Sequence, residues 1–548
     1  MSRFKDEDPH KGGRGWVAQR GERAWGEALA KWWPLAALLV LAALLRLSTL
    51  DLQSFWYDEA YVPVHTLHAS LVATLRAVEH RENTPPLWYV LMWGWSRIFG
   101  TGMIALRLPS ALAGIATVAV AWEIGQQLAG RRAAIATAAL VATSPLFVWY
   151  SQEARAYGLF VFMAALAMWC WLRADADPTP GRLTAFAASG AAALATHYFA
   201  VFLLAPMCLW LLRPRRMAGA GVRPVAPRSM PPKGTPSADS RSAPLKDAVA
   251  AVAAIVAVGA ALVPLALTQG GHGTQWIGEW ALASRLETIP QYYLTGYSGA
   301  PLGHGLELLV ALEILAAVGY GLWRMLTPRE SEGALLALGV AACGVLIPVA
   351  MAVAGVDYLA PRNVVAAMVP LTAGIAVIAA AQRTGRTGLA LVGLIAVTFA
   401  ALTIDVDLSP RLQRGDWRGL ARVIRRASPG SRRQGAVAIT TVELGAAPLE
   451  YYLPPLSNLR RGAAVRVSEI DETGYAPLRT GAGEPPAAGF HLVQHRNVNG
   501  MILYRFRSAT PRLVSEATLR EHVIAEGHPE VLSSENPPPA ISPLGAGR

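Results

Sequence analysis

The chain has 548 residues, of which 53% are hydrophobic and only 16% charged, against roughly 25% charged in soluble domains. The apolar residues fall in long blocks, which excludes a soluble globular fold and indicates a polytopic membrane protein. The net charge of +12 lies in Arg clusters between those blocks, so it reads as positive-inside topology rather than a nucleic-acid footprint.

Residues 1–31 are polar, Gly-rich and basic and are expected to form a disordered cytoplasmic tail. The first apolar run, 32–50, is about 19 residues, or ~28 Å as a helix, and has no small-residue cleavage site after it. It reads as an uncleaved first span. A polar stretch, 51–84, follows and carries SFWYDEAYV at 54–62. Further apolar blocks lie at 86–128, 133–150, 156–172, 183–212, 248–268, 305–323, 333–354, 363–381 and 387–404. Cys170, Cys208 and Cys343 all sit inside these blocks, as packing residues with no CxxC or disulfide pattern. Between them, 213–247 is a Pro- and Arg-rich linker that cannot bury a core.

Each span flips the side of the membrane, so parity tests the reading. The basic segments 130–132, 173–182, 213–246, 324–329 and 382–386 all fall on the cytoplasmic side if 86–128 makes one net crossing and 183–212 makes two, broken near Thr196-His197-Tyr198. That gives about 11 transmembrane helices over 32–404. The outer face then receives 51–85, 151–155, His197 and Tyr198, the 269–304 loop, 358–362 and everything after Asp405. Residues 405–525 read as a small extracytoplasmic α/β domain, with a helix at GDWRGLARVIRRA (415–427), strands at AVAITT and AAVRVSEI, and a hairpin at FHLVQHRNVNGMILYRFR. The Pro-rich end, 526–548, is expected to be a disordered tail. Trp276, Trp280, Tyr292, Tyr293 and Tyr297 of the 269–304 loop fit an interfacial amphipathic lid better than a sugar-stacking cleft.

The polar clusters on the outer face carry the chemistry. Asp58 and Glu59, framed by Trp56, Tyr57 and Tyr61, are either a wet interfacial loop or the working end of an enzyme. SQEARAY (151–157) opens a span with Gln152, Glu153, Arg155 and Tyr157; His197 and Tyr198 interrupt an apolar block; DYLAPR (357–362) ends in Arg362 at the start of a span. Alone, each has a bland reading as a snorkelling Arg or a packed His. Together, a carboxylate can act as general base and Arg residues can hold a phosphate. Outside a bacterial membrane there is no nucleotide sugar, so an activated sugar must arrive on a lipid. This places a polyprenyl phosphate on Arg155 and Arg362, its sugar facing Asp58, with Tyr157, His197 and Tyr198 lining the pocket.

The motifs LRLSTLDLQSFWYDEAY, ENTPPLWYVLMWGWSRIFG, RLPSALAGIATV, SPLFVWYSQEARAYGLF, ATHYFAVFLL and YLAPRNVVAAMVPL, in that order, resemble the GT-C membrane glycosyltransferases, in particular the bacterial protein mannosyltransferase and aminoarabinose transferase-like group. The resemblance covers roughly residues 35–420. It implies an inverting glycosyltransferase that moves a sugar from a polyprenyl-phosphate donor to an acceptor hydroxyl, with Asp58 as catalytic base and Glu59 beside it. Many relatives place a His just before the Pro-Pro pair, whereas here Asn83 and Thr84 precede Pro85 and Pro86, leaving Glu82 as the nearby candidate. No cofactor is required by this reading; a divalent cation would have Glu82 or Glu59 with His197 as donors and lacks a third. The expected partners are the lipid-linked donor, the bilayer, and a glycolipid, polysaccharide or protein acceptor, with no nucleic acid. Which sugar and which acceptor stay open. The alternative is a lipid or sugar transporter or flippase, which would call for charged pairs near the bilayer midplane and internal repeats; neither is evident in the sequence.

Overall fold

The computed structural model describes residues 32–213, 238–271, 275–296, 304–427, 436–522, 524 and 528–534. The expected tail 1–31, linker residues 214–237 and the stretch 535–548 lie outside the described residues.

Helix formation follows the apolar blocks. Helix α1 runs Trp32–Leu47, and the polar stretch after it contains two short helices, α2 (Tyr57–Tyr61) and α3 (Leu71–Arg81). The 86–128 block is split where Gly100 takes a left-handed φ of 77°, a conformation that ends helices readily only at glycine. The split leaves α4 (Leu87–Phe99, 13 residues) and α5 (Met103–Ala129, 27 residues), and only α5 is long and apolar enough to cross a membrane. Next come α6 (Arg131–Thr143) and α7 (Pro145–Ser151), bent by 58° at Ser144, and α8 (Tyr157–Ala176). The 183–212 block breaks at His197 into α9 (Pro180–Thr196) and α10 (Ala200–Leu211).

Beyond the linker, α11 spans Ala238–Gln269, so the last ten residues expected in the linker, 238–247, are helical instead. The Ala-rich run that starts at Ala248 propagates its helix upstream, because extending an existing helix costs far less than nucleating a new one. The 269–304 segment forms helices α12 (Gln275–Glu279) and α13 (Leu282–Thr295), the latter burying Arg285, Ile289 and Tyr293. Tyr293 is thus a core residue. The remaining long helices are α14 (His304–Trp323), α15 (Pro328–Val353), α16 (Met368–Ala379, preceded by a tight turn over Pro361–Ala367) and α17 (Gly385–Leu408).

Among the described residues seven helices are long and apolar enough to cross a membrane, or eight if α6 and α7 make one span. That differs from the eleven expected. Helices α9 and α10 contain 17 and 12 residues, and a 12-residue helix is only ~18 Å long, against a hydrocarbon core of ~30 Å. The helices pack with α6, α8 and α16 largely buried and α5 half-buried, while α11 and α14 present most of their surface outward.

After α17 the chain builds a sheet domain. Helix α18 (Trp417–Ala427) buries Trp417, Leu420, Ala421 and Ile424, the i, i+3, i+4, i+7 stripe of an amphipathic helix. The stripe covers one face of a six-stranded sheet of order β2-β6-β1-β3-β5-β4. The strands are β1 (Ala436–Thr441), β2 (Ser457–Asn458), β3 (Ala464–Tyr475), β4 (His491–Val498), β5 (Met501–Ser515) and β6 (Glu530–Ser533). Helices α19 (Ala446–Tyr452) and α20 (Glu516–Glu521) lie in the connections. β1 and β3 are parallel and the other pairs antiparallel. The β4–β5 hairpin turns on Asn499 (φ 51°) and Gly500 (φ 91°), the two positive-φ residues of a two-residue hairpin loop. Strand β6 corrects the expectation that everything from 526 is a tail. It is four residues between prolines, yet it sits between β2 and β1 with Val531 and Leu532 fully buried.

Candidate active site

Asp58 and Glu59 occupy the first turn of α2, where the unsatisfied N–H groups favour carboxylates. Successive residues on a helix point ~100° apart, so the pair separates into two environments. Glu59 is fully buried and receives Arg107 from α5 as a fork, Nε to Oε1 at 2.7 Å and Nη2 to Oε2 at 2.6 Å. The Ala154 N–H also donates to Oε1 at 2.9 Å. The same guanidinium donates to the backbone oxygens of Leu50 (2.9 Å), Gln53 (2.8 Å) and Ser54 (3.1 Å). All five of its N–H groups are therefore used. Burial alone would raise the Glu59 carboxyl, but Arg107 and then Arg414 hold it below the ordinary value. This corrects the expectation of Glu59 as a catalytic partner: it is the buried anchor of the loop and has no access to a substrate.

Asp58 faces the other way. Its Oδ2 accepts from Arg362 Nη1 at 2.9 Å, and both side chains keep about 20% of their surface exposed. Arg362 sits in the first turn of the Pro361–Ala367 segment. The residues just before it are clamped by buried Arg285, whose fork grips Asp357 at 2.7 and 2.6 Å and whose Nη1 also donates to the Leu359 carbonyl at 2.8 Å.

Four of the expected residues, Tyr157, His197, Tyr198 and Arg362, line one cavity of about 520 Å³. Its lining is mostly apolar, with Val201 and Phe202 of α10, Leu262, Val263 and Ala266 of α11, and Pro348 and Met351 of α15. The polar lining is completed by Asn83, Thr84, Gln269 and Asn363. The His197 ring stacks on Phe160 at 4.5 Å between centroids, and the Tyr198 hydroxyl donates to Gln269 Oε1 at 2.7 Å. Gln269 in turn donates to the carbonyls of Val78 and Thr84, fastening α11 to the first loop.

The other expected residues lie off this wall. Arg155, expected on the phosphate, pairs with Glu82 at 3.1 Å and donates to the Asp58 carbonyl at 3.5 Å. Glu82 also accepts from Thr66 at 2.8 Å. This buried pair stands behind α2 and supports it, because a guanidinium removed from water is held by the nearest carboxylate. Gln152 leaves the pocket altogether, tying α7 to α1 through Leu45, Arg46 and Thr49. Glu153 meets Arg414 at 3.3 Å. Among the described residues no three His, Cys, Asp or Glu side chains are grouped to hold a metal ion; the carboxylate of Glu82 is already engaged, and His197 is packed in an aromatic stack.

Two functional neighbours escaped sequence reasoning. Arg107 shows only as a charge inside an apolar block, and Arg414 as one basic residue before a helix. Arg414 lies 4.1 Å over the Trp149 ring and also donates to the Gln152 carbonyl at 3.4 Å, so it docks the sheet domain against the site.

Residues 83–220 match the family described as dolichyl-phosphate-mannose-protein mannosyltransferase. No curated protein matches the chain by sequence. Among solved structures, ArnT from Cupriavidus metallidurans in the apo state is 12% identical with a TM-score of 0.52, covering 87% of this chain and 98% of that one. The same protein bound to undecaprenyl phosphate is 11% identical with a TM-score of 0.50, covering 86% and 97%. The chain therefore has the GT-C fold of that membrane protein, with a sheet domain after the helices.

Replacing Arg107 by Ala strips buried Glu59 of its bidentate partner, leaving only the Ala154 N–H and Arg414 at 3.9 Å, and the expected cost is about 3 kcal/mol, read as a lowered unfolding temperature of the purified protein. An unchanged unfolding temperature contradicts the anchoring role. Glu153 gives a pH test. Burial pushes its carboxyl up to about 7 despite the pull of Arg414. The folded state thus holds a proton that the unfolded state releases from about pH 4.5 upward, so stability falls as pH rises from about 4.5 to 7 and the loss is complete above that. Glu153→Gln, which still accepts from Arg414, is expected to flatten that fall and to be the more stable form at pH 8.

Proposed function

We propose that the chain is an inverting glycosyltransferase of the bacterial inner membrane that moves a sugar from a polyprenyl-phosphate donor to an acceptor hydroxyl on the extracytoplasmic face. The observation that carries this reading is the cavity itself: a mostly apolar lining that includes Arg362, whose guanidinium is paired with Asp58. A polyprenyl chain suits the apolar lining, a phosphate suits the guanidinium, and the sugar carried on the phosphate is then delivered to Asp58. The fold shared with a protein solved with undecaprenyl phosphate, and the family matched over 83–220, support the same chemistry.

In the proposed reaction the donor phosphate takes Arg362 from Asp58, leaving the carboxylate to accept from the acceptor hydroxyl. Asp58 takes the hydroxyl proton as the oxygen attacks the anomeric carbon. The bond from that carbon to the phosphate oxygen breaks, and polyprenyl phosphate leaves with the electron pair, inverting the centre. Charge that grows on the leaving phosphate is met by Arg362, held in place before the reaction begins by the Arg285–Asp357 fork. Arg155 acts from behind, by fixing Glu82 and the Asp58 backbone. No metal is required on this account.

The test pairs a variant with a product analysis. Asp58→Asn keeps the shape and removes the base, and the expected loss of transfer is of the order of 10²-fold or more. Mass spectrometry of envelope glycolipids, polysaccharides and proteins from cells carrying wild type, Asp58→Asn or no gene should show one sugar mass increment in the first and its loss in the other two. A normal increment with well-folded Asp58→Asn overturns the assignment.

A further inference from the structure

Between positions 411 and 433, just past α17, the sequence holds eight arginines and one acidic residue, Asp416. The other end of α17 is basic as well, with Arg383 and Arg386 about its start at Gly385. The positive-inside bias accounts for basic residues at one end of a span and not at both. On the topology proposed above the Arg-rich end is the outer one, so its charge has another cause.

Internal contacts explain part of the set. Arg414 is buried on Glu153 and the Gln152 carbonyl. Arg418 holds the turn after α1, with Nη1 on the Asp51 carboxylate at 3.1 Å and Nη2 on the carbonyls of Asp51 and Leu52, both at 3.0 Å. Arg425 donates to the Tyr452 carbonyl. Arg411, Arg422 and Arg426 are exposed. Arg418, Arg422, Arg425 and Arg426 fall at i, i+4, i+7 and i+8 of α18, on the face away from the buried stripe of Trp417, Leu420, Ala421 and Ile424. Like charges at i, i+4 weaken a helix, and the helix dipole compensates only for Arg425 and Arg426 in the last turn. A negatively charged surface outside the helix offsets that repulsion.

The arginine row starts where two apolar helices end. Val40, Leu44 and Leu47 of α1 and Val397, Ile404 and Leu408 of α17 are exposed, the outward apolar surface that hydrocarbon covers. Leu52, exposed too, carries a carbonyl that Arg418 grips, and Arg411 is three residues beyond Leu408. An apolar surface bordered by guanidinium groups matches a bilayer leaflet, whose hydrocarbon is bordered by phosphate.

We propose that the arginine face of α18 docks on anionic phospholipid headgroups of the adjacent leaflet, with Arg422 and Arg426 as the principal contacts. The sheet domain is then held to the membrane surface as well as to the first loop. This goes beyond the transferase reading and does not depend on it.

The test uses the full-length protein in nanodiscs of phosphatidylcholine alone and of an equal mixture with phosphatidylglycerol. Arginines are modified with phenylglyoxal, an uncharged reagent, and the rate at each residue is read by peptide mass spectrometry. Arg422 and Arg426 are expected to react at least about fivefold more slowly in the anionic discs, the scale of one basic residue near an anionic surface. The difference should close in about 1 M NaCl, where the screening length is about 3 Å. Native mass spectrometry of protein extracted from the mixed discs is the second readout, with Arg422→Gln/Arg426→Gln expected to retain fewer phosphatidylglycerol molecules than wild type. The first readout uses wild type alone, so it stands whether or not the variant folds. Equal rates in the two bilayers, slow rates in both, or slowing only when a diphosphorylated disaccharide lipid is added overturns the proposal. So does an unchanged count of retained phosphatidylglycerol in the variant.

Discussion

The candidate site depends on one buried guanidinium. Arg107 spends all five donors on a single stretch of loop, two on the Glu59 carboxylate and three on the carbonyls of Leu50, Gln53 and Ser54. Those carbonyls would otherwise be unsatisfied away from water, which costs roughly 1–3 kcal/mol each. The charge is tolerated because Glu59 neutralises it with bidentate geometry. Once the loop is fixed this way, helical rotation alone turns Asp58 toward Arg362. The immobile anchor and the accessible carboxylate are neighbours in sequence because the chain needs one to aim the other.

The sheet domain completes the frame. Ser54 Oγ donates to the Gly415 carbonyl and accepts from the Trp417 N–H, Gln53 accepts from the Arg414 N–H, and the Tyr452 hydroxyl accepts from the Phe55 N–H. Residues 53–55 are therefore held on one side by α5 and on the other by the start of the sheet domain. Arg414 continues the link to Glu153 and Trp149. Preorganisation of this kind matters where charge must be met without rearrangement. A domain that shows no catalytic motif still acts on the site through the loop it grips.

Much of this was legible in the sequence where the signal is local. Apolar blocks located the helices, the break at His197 and the Asn-Gly hairpin, because helix length and turn chemistry are properties of adjacent residues. Asp58, Arg362, His197 and Tyr198 could be named as polar groups at the edges of or breaks in apolar runs, although the contacts that put the last three on one cavity and pair Asp58 with Arg362 could not. What failed was long-range or angular. Nothing in SFWYDEAYV says which carboxylate is buried, since that depends on a partner at position 107. Arg155, expected on the phosphate, is held instead by the nearer carboxylate of Glu82. Strand β6 was hidden because four residues between prolines carry no period, and its place in the sheet is decided by β1, some 90 residues earlier.

The central claim is that the apolar cavity holds a polyprenyl chain with its phosphate on Arg362. A cryo-EM structure of the full-length protein in nanodiscs with undecaprenyl phosphate tests it most directly. The account predicts a phosphate oxygen about 2.7–2.9 Å from the Arg362 guanidinium, the chain lying between α11 and α15, and Asp58 released from its ion pair. Lipid found only on the outer faces of the helices, with Arg362 still on Asp58 and the cavity empty, would contradict it.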